Sequence, residues 1–272
     1  MSWTSNYVQA NGIRLHYHRT GGGAGDDKRT MVLLHGVTDN GLCWGRLATA
    51  VSDQYDLILV DARGHGLSDA PEAGYSGRNH AADVIGLCHA LQLEKPILLG
   101  HSMGAMTVAN AIAMEPGLAG CAILEDPAWL SEAGAAATGG DHTEWRNNII
   151  AAKSTPRETL IMRGKADNPT WDESEWAAWA EAKQQVQPQV LDGFTPDRYT
   201  AWKRLVPQFR CPTLLITADL DKGAIVSQET GTAASALNPH LTTAHIPNAG
   251  HSIRREQLDL YLAAINDFLA QS

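Results

Sequence analysis

The sequence predicts an α/β domain with a mostly parallel, doubly wound sheet. Three observations support this fold class: short apolar strands alternate with amphipathic helices, an Asn-Gly turn near the start separates two strand-like segments, and a glycine-rich turn around residue 102 joins a strand to a helix. Such alternation is typical of a parallel sheet with helices on both faces. The 272 residues suffice for the core of one domain of this kind.

The individual elements are predicted from apolar runs and their spacing. Tyr7–Ala10 and Ile13–His18 flank Asn11-Gly12, which is a strong hairpin signal. Six further strands are predicted at Met31–Leu34, Leu57–Val60, Ile97–Leu99, Cys121–Leu124, Thr213–Thr217 and Thr242–Ile246. Two helical faces are predicted from Val84, Leu87, Cys88 and Leu91 and from Leu258, Tyr261, Leu262, Ile265, Phe268 and Leu269.

One region interrupts the alternation. Residues 127–209 contain no convincing strand, but they contain helical stretches that carry Trp145, Trp171, Trp176, Trp179 and Trp202. The segment begins after a strand end, so we expect it to lie over the carboxyl edge of the sheet, where ligands bind in open α/β folds. The predicted division is therefore a core domain of residues 1–126 and 210–272 with a helical insertion at 127–209.

Composition excludes several function classes. A formal net charge of −9 without a basic stripe argues against a nucleic-acid partner. The longest apolar runs are too short to cross a bilayer, and residues 1–6 lack the features of a signal peptide. Four dispersed cysteines indicate reduced thiols rather than disulfides or a metal site. We therefore expect a cytoplasmic protein with no membrane association and no bound metal.

The most informative stretch is Gly100-His101-Ser102-Met103-Gly104. An apolar strand precedes it and a helical stretch follows it. A G-x-S-x-G pattern in this context is typical of a nucleophilic serine held on a sharp turn, where small neighbours let strand and helix approach closely. Ser102 is therefore the predicted nucleophile.

A serine hydroxyl needs a base within hydrogen-bond reach. His251 is the candidate, because it follows the last predicted strand in a loop with Pro247 and Gly250 and because imidazole titrates near neutral pH. Of the ten other histidines, His35 and His101 adjoin the site, and we expect them to orient backbone.

The base in turn needs a carboxylate on its other ring nitrogen. Asp221 is the predicted acid, since it follows the strand that ends at Thr217 and keeps the chain order serine, acid, histidine. Asp219 is a rival two residues away. Glu125 and Asp126 are further rivals after the preceding core strand, where we expect them to support the start of the insertion.

Two backbone amides are predicted to stabilise the oxyanion, those of Val37 and Met103. Thr38 and Asn40 are candidate pocket residues, although Asn40 also fits a helix cap. The other candidates are Trp129, Trp176 and Trp179. The last two lie one helical turn apart and fit either a pocket wall or a core.

Four separated motifs resemble the α/β-hydrolase superfamily over essentially the whole chain, in particular its capped serine hydrolases of the esterase and lactonase type. They are His35-Gly36-Val37, Asp61-Ala62-Arg63-Gly64-His65-Gly66-Leu67-Ser68, the serine turn, and Asn248-Ala249-Gly250-His251. The resemblance implies that residues 127–209 form a cap and that no metal or organic cofactor is needed. In the family's usual Gly-x-x-Asp turn, Ala218 replaces the glycine and leaves Asp221 in the acid position.

The predicted function is hydrolysis of a carboxylic ester or lactone of a mainly apolar small molecule through an acyl-serine. Haloalkane dehalogenase and epoxide hydrolase chemistry is disfavoured, because such relatives carry aspartate at the position of Ser102. Carbon–carbon bond or amide hydrolysis, perhydrolysis, a serine–histidine lyase and a slow-turnover ligand receptor remain alternatives. The expected partner is the small-molecule substrate, and the expected assembly is a monomer or homodimer.

Overall fold

The computed structural model describes residues 3–21, 27–137 and 141–272. Within them, one sheet has the strand order β1-β2-β4-β3-β5-β6-β7-β8. The strands are β1 (Thr4–Ala10), β2 (Ile13–Arg19), β3 (Thr30–Leu34), β4 (Asp56–Val60), β5 (Ile97–His101), β6 (Cys121–Glu125), β7 (Thr213–Thr217) and β8 (Leu241–His245). All eight predicted strands and the predicted fold class are confirmed.

The sheet is antiparallel at one edge and parallel elsewhere. β1 and β2 form the predicted hairpin, in which Ala10 pairs with Ile13, and β2 runs antiparallel to β4. The remaining neighbours are parallel, so the carboxyl ends of β4, β3, β5, β6, β7 and β8 share one edge. Loops that follow these strands are thereby brought together.

Helices cover both faces of the sheet. In the order of the chain they are α1 (Gly45–Val51), α2 (Gly77–Ala90), α3 (Met103–Met114), α4 (Glu132–Ala137), α5 (Thr143–Ala152), α6 (Arg157–Asp167), α7 (Trp176–Gln185), α8 (Trp202–Leu205), α9 (Gln228–Leu237), α10 (Ile253–Glu256) and α11 (Leu258–Leu269). The alternation of side chains along each strand explains the two layers: in β3, Val32 faces the core beneath α2 and α3, whereas Leu33 faces the core beneath α1 and α11.

Residues 127–209, called the helical segment below, connect β6 to β7. Its described residues form α4 to α8 and several 3₁₀ turns, and none of them is in a strand. Trp129 at its start stacks on Trp202 near its end with ring centroids 6.3 Å apart, which brings the two ends of the segment together. No helix in the described part of the chain is long and apolar enough to cross a membrane.

Candidate active site

Ser102 lies at the sharp turn between β5 and α3. Its φ of 52° and ψ of −112° are unusual for a residue with a side chain. The backbone N–H of Ser102 donates to the carbonyl of Glu125 at 2.9 Å, which ties the turn to the end of β6. Strained backbone of this kind clusters at functional sites, where the surrounding structure holds it in place.

The two glycines of the turn are required by close packing. A Cβ on Gly104 would lie 1.9 Å from the carbonyl oxygen of Leu34, and a Cβ on Gly100 would lie 2.3 Å from the carbonyl oxygen of Gly104. The helix therefore begins in backbone contact with β3 and β5. This is the physical reason for the G-x-S-x-G pattern that the sequence displays.

His251 is paired with Asp126. Nδ1 of His251 donates to Oδ2 of Asp126 at 2.7 Å, and the Asp126 side chain is fully buried. The same carboxylate accepts the backbone N–H groups of Ile225, at 2.9 Å, and of Val226, also at 2.9 Å. Because Nδ1 is the donor, Nε2 is the nitrogen that can accept a proton.

This pairing corrects the expectation for Asp221, which is exposed on a 3₁₀ turn at Leu220–Lys222 and has no contact with His251. The rival Asp219 is committed elsewhere: it accepts from His245 Nε2 at 3.0 Å and from the N–H of Asn248 at 2.8 Å. The order serine, acid, histidine is kept, with the acid after β6 instead of β7.

Glu125, the neighbour of Asp126, has a structural partner. Its carboxylate accepts from the N–H and the guanidinium of Arg254, both at 3.1 Å, and both side chains are almost fully buried. The pair ties β6 to α10. Asp126 follows it with a φ of 39°, so the two acids are directed to different partners.

Two histidines brace the site through backbone contacts, as expected. His101 Nε2 donates to the carbonyl of His251 at 2.9 Å, and burial together with the charge of Arg254 lowers the pKa of His101 well below its ordinary value. His35 Nδ1 donates to the carbonyl of Gly36 at 2.7 Å, and burial lowers its pKa as well. Both rings are therefore neutral at physiological pH.

A cavity of about 390 Å³ opens beside the serine. Ser102, His251 and Val37 line it, together with the aromatic residues Trp145, Trp171, Trp179, Phe194 and Tyr199 of the helical segment. The wall also contains charge, in the side chains of Asp39, Lys183, Arg198 and Arg255. The expected apolar pocket is thus a mixed one.

Of the five candidate pocket residues, Thr38 and Trp179 line the cavity. Asn40 does not; it is buried and donates to Gln185 at 2.9 Å. Trp129 is fully buried against Trp202. Trp176 is also buried and stacks on Trp171, with centroids 5.3 Å apart. The two tryptophans form core, because burying a large aromatic side chain stabilises the segment itself.

Of the two predicted oxyanion donors, Val37 lines the same cavity as Ser102, and Met103 follows Ser102 in the chain. Val37 follows Gly36 in the loop after β3, and Met103 is the first residue of α3, where backbone N–H groups have no partner within the helix. Thr38 has a φ of 65°, and the N–H of Asp39 donates back to the Gly36 carbonyl at 3.1 Å. The loop is thereby a tight, defined turn.

A buried charge network lies at the junction of core and helical segment. Asp39 accepts from Lys183 at 3.2 Å and from Arg255 at 3.2 Å, and Arg255 also donates to Glu175 at 3.0 Å. Burial by itself would raise the pKa of Asp39, but Arg255 and Lys183 outweigh it and hold that pKa well below its usual range. The sequence contained no motif for this network, because its members are far apart in the chain.

Among the described residues, no group of three or more histidine, cysteine or acidic side chains has the arrangement to hold a metal ion. The four cysteines are buried free thiols. Burial raises the pKa of Cys43 and of Cys88 to about 12, so neither is a nucleophile at neutral pH.

The chain is similar to known proteins over nearly its whole length. A model of the alpha/beta hydrolase family matches residues 31–264. The chain is 31% identical over 268 residues to N-formylmaleamate deformylase of Pseudomonas putida. This alignment covers 96% of this chain and 95% of that relative. It is 29% identical over 279 residues to 2-(acetamidomethylene)succinate hydrolase of Mesorhizobium japonicum, covering 97% and 95%.

A solved structure of E-2-(acetamidomethylene)succinate hydrolase superposes with a TM-score of 0.80 at 24% identity, covering 99% of this chain and 100% of that one. At this identity the likeness supports the fold. It does not by itself assign a substrate.

Proposed function

The chain belongs to the alpha/beta hydrolase family, and from this premise we propose that it cleaves an N-acyl bond in a small carboxylate-bearing molecule through an acyl-serine. One observation carries the proposal: a serine on a strained turn and a histidine paired with a buried aspartate open onto the same cavity. A nucleophile, a base and an orienting acid are the parts that acyl transfer requires.

In the proposed first half-reaction, Ser102 Oγ attacks the acyl carbonyl carbon while His251 Nε2 takes its proton. Asp126 holds the ring in the tautomer that makes this possible and stabilises the imidazolium. The N–H groups of Val37 and Met103 donate to the oxyanion, and each lowers the activation free energy by about 3 kcal/mol. His251 then returns the proton to the leaving nitrogen, and the C–N bond breaks.

In the second half-reaction, a water molecule replaces the departed amine. His251 removes a proton from the water as its oxygen attacks the acyl carbon, and the same oxyanion donors stabilise the second tetrahedral intermediate. Ser102 leaves with the proton that His251 returns. The products are a carboxylic acid and the deacylated nitrogen compound.

The bond class is inferred from the relatives. Their names describe an N-formyl group and an acetamido group, both of which are acyl groups on nitrogen, and maleamate and succinate both carry carboxylate. Hydrolysis of an ester or lactone is the second candidate. The mixed wall with Trp145, Trp171 and Trp179 suits it, and a serine–histidine–aspartate triad attacks esters by the same steps.

We propose that the helical segment serves as the cap of the site, because it supplies the aromatic wall of the cavity and two partners of the buried charge network. A cytoplasmic location, a monomer or homodimer, and independence from cofactors stay predictions of the sequence. If the enzyme is independent of metal cofactors, its activity is expected to survive dialysis against a strong chelator.

The experiment has two readouts. A fluorophosphonate probe followed by peptide mass spectrometry is expected to label Ser102, and the Ser102→Ala protein is expected to fold and to remain unlabelled. Steady-state hydrolysis is then measured on N-formylmaleamate, on (acetamidomethylene)succinate and on a 4-nitrophenyl ester series. Labelling with turnover of the amides supports the proposal, whereas turnover of esters alone selects the second candidate. Turnover by Ser102→Ala would remove the acyl-serine altogether.

A further inference from the structure

The charges that line the catalytic cavity are unequally matched. Lys183 and Arg255 face Asp39 and Glu175 at distances of 3.0–3.2 Å. Arg254 also lies 3.8 Å from Asp39 and has its own partner, Glu125, at 3.1 Å, so these three cations have three anions between them. Arg198 also lines the cavity. No carboxylate in the described part of the chain lies within ion-pair distance of the Arg198 side chain, and no hydrogen bond of its guanidinium occurs there. Arg198 is therefore the surplus cation of the site.

Arg198 is held in place by rings instead of charges. Its guanidinium carbon lies 3.6 Å from the centroid of Phe194 and 5.7 Å from that of Tyr199. The side chain is partly buried, and this burial lowers its pKa to about 10. It stays charged at neutral pH. A desolvated cation without a counter-ion is unfavourable, and an anionic ligand relieves that cost.

Stacking also determines what Arg198 can do. A guanidinium that lies over an aromatic face keeps the N–H groups at its edge available, and these match the two oxygens of a carboxylate. Arg198, Phe194 and Tyr199 line the same cavity as Ser102, so one ligand can reach both the guanidinium and the nucleophile. The cavity then has an excess of one positive charge, which one carboxylate of a ligand would neutralise.

We propose that Arg198 is the specificity-determining residue of the cavity and binds a carboxylate of the substrate while the acyl carbonyl lies at Ser102. The inference deepens the proposed function and rests on it. It assigns the residue that recognises the carboxylate of the proposed substrate. Neutral analogues leave the guanidinium unpaired and are rejected by the cost of that unpaired charge.

The kinetic test uses a pair of probes that differ only in charge. Mono-4-nitrophenyl succinate carries a carboxylate where 4-nitrophenyl 3-carbamoylpropanoate carries a neutral amide of the same shape. We expect Arg198→Gln to lower kcat/KM for the anionic probe by about 10- to 100-fold and to leave the neutral probe within about threefold. Arg198→Lys is expected to recover part of the loss, because charge returns without the bidentate edge.

Arg204→Gln is the matched control. Arg204 is exposed on α8, close in sequence, and it does not line the cavity of Ser102. This variant is expected to preserve the anion preference of the parent protein. In Arg198→Gln, an equal loss of kcat/KM on both probes would indicate a structural role and would overturn the inference. Unchanged kcat/KM values on both probes would overturn it as well.

A binding measurement separates this inference from the proposed function. Calorimetry with succinamate and with succinamide, in the Ser102→Ala background, needs no turnover. Tighter binding of succinamate that disappears in Ser102→Ala/Arg198→Gln supports the carboxylate site even if the hydrolase proposal fails. Equal binding of both compounds, beside normal fluorophosphonate labelling of Ser102 in the parent protein, rejects the carboxylate site and retains the hydrolase.

Discussion

The ammonium group of Lys183 donates hydrogen bonds to both oxygens of Thr38, at 2.9 Å to the carbonyl and at 2.8 Å to Oγ1. Lys183 belongs to α7 of the helical segment, whereas Thr38 lies in the loop that carries the predicted oxyanion donor Val37. Lys183, 145 positions away in the chain, therefore holds the turn in which Thr38 has a positive φ. This contact couples the helical segment to the geometry of the oxyanion loop.

Lys183→Met is predicted to slow acylation. Without the ammonium group the Thr38 carbonyl loses its donor and the loop relaxes, so the Val37 N–H is displaced from the oxyanion. We expect a fall of about tenfold or more in kcat and in the rate of fluorophosphonate labelling, since loss of one oxyanion donor costs about 100- to 1,000-fold. The measurement is a time course of fluorophosphonate labelling, quenched at intervals and analysed by mass spectrometry.

The control is Lys165→Met, which removes an exposed lysine of the same segment that pairs with Glu173. That variant is expected to label at the parent rate. A Lys183→Met protein that raises KM but keeps kcat and the labelling rate would instead place Lys183 in substrate binding.

Asp126→Asn and Asp221→Asn are predicted to differ sharply. Asparagine at 126 can present its N–H₂ to His251 and so select the wrong tautomer, which is expected to lower kcat by about four orders of magnitude. Asp221 is exposed and lies away from the histidine, so its variant is expected to keep the parent kcat. Single-turnover kinetics on the fastest substrate compare the two variants. A large loss of rate in Asp221→Asn would restore Asp221 as the acid of the triad.

Gly104→Ala and Gly231→Ala are predicted to have opposite effects on stability. The new methyl at 104 would meet the Leu34 carbonyl at 1.9 Å, so the backbone must move, at a cost of about 3 kcal/mol, the upper end of the usual range for overpacking. Gly231 lies inside α9, where the added methyl has its first neighbour, Thr243 Cγ2, at 3.6 Å. Alanine there is expected to stabilise the protein by about 0.5–1 kcal/mol. Urea unfolding midpoints give both values.

Asp39→Asn is predicted to destabilise the protein in a pH-dependent manner. At pH 7 the variant leaves Lys183 and Arg255 with an incomplete set of anions, at a cost of about 3–5 kcal/mol. The pKa of Asp39 is depressed in the folded protein, so its contribution is fully present above the unfolded value and is lost as the pH falls through the folded one. The difference between the two proteins in the free energy of unfolding is therefore expected to shrink below about pH 4.

Urea titrations of both proteins at pH 7 and pH 3 provide the check. A difference that stays constant over this range would mean that the pKa of Asp39 is the same in the folded and the unfolded protein. The charge network would then be assigned incorrectly.

The strands and the serine turn were predictable because their signals are local. In β3 and β4, buried residues follow each other without polar interruption, which is typical of strands covered on both faces. At the turn, Gly100 and Gly104 reflect backbone contacts that lie within a few residues or on the adjacent strand. His251 was predictable for the same reason, because its loop follows the last strand directly.

The acid was not predictable in this way. β6 and β7 are parallel neighbours, so Asp126 and Asp221 both follow strands whose carboxyl ends meet at one edge of the sheet. Chain order permits either residue. The difference arises from direction: the φ of 39° at Asp126 and its two backbone donors, Ile225 and Val226, hold its carboxylate beneath His251.

The tryptophans illustrate the same limit within a helix. Trp176 and Trp179 lie one turn apart on α7, yet the first is buried against Trp171 and the second lines the cavity. Helical spacing determines that the two side chains lie on neighbouring positions of one face. It does not determine which neighbour covers that face, since the covering residues come from other helices.

The sequence by itself predicted the fold class, the positions of the strands along the chain, Ser102 at its turn and His251 as the candidate base. These depend on periodicity and on glycine at close approaches, which act over a few residues. Only the tertiary structure decided that Asp126 is the partner of His251, that Lys183 holds Thr38, and that Arg198 has no anionic partner among the described residues. Such pairings depend on the direction of side chains and on the balance of charge in a cavity, because both are set by segments that are distant in sequence.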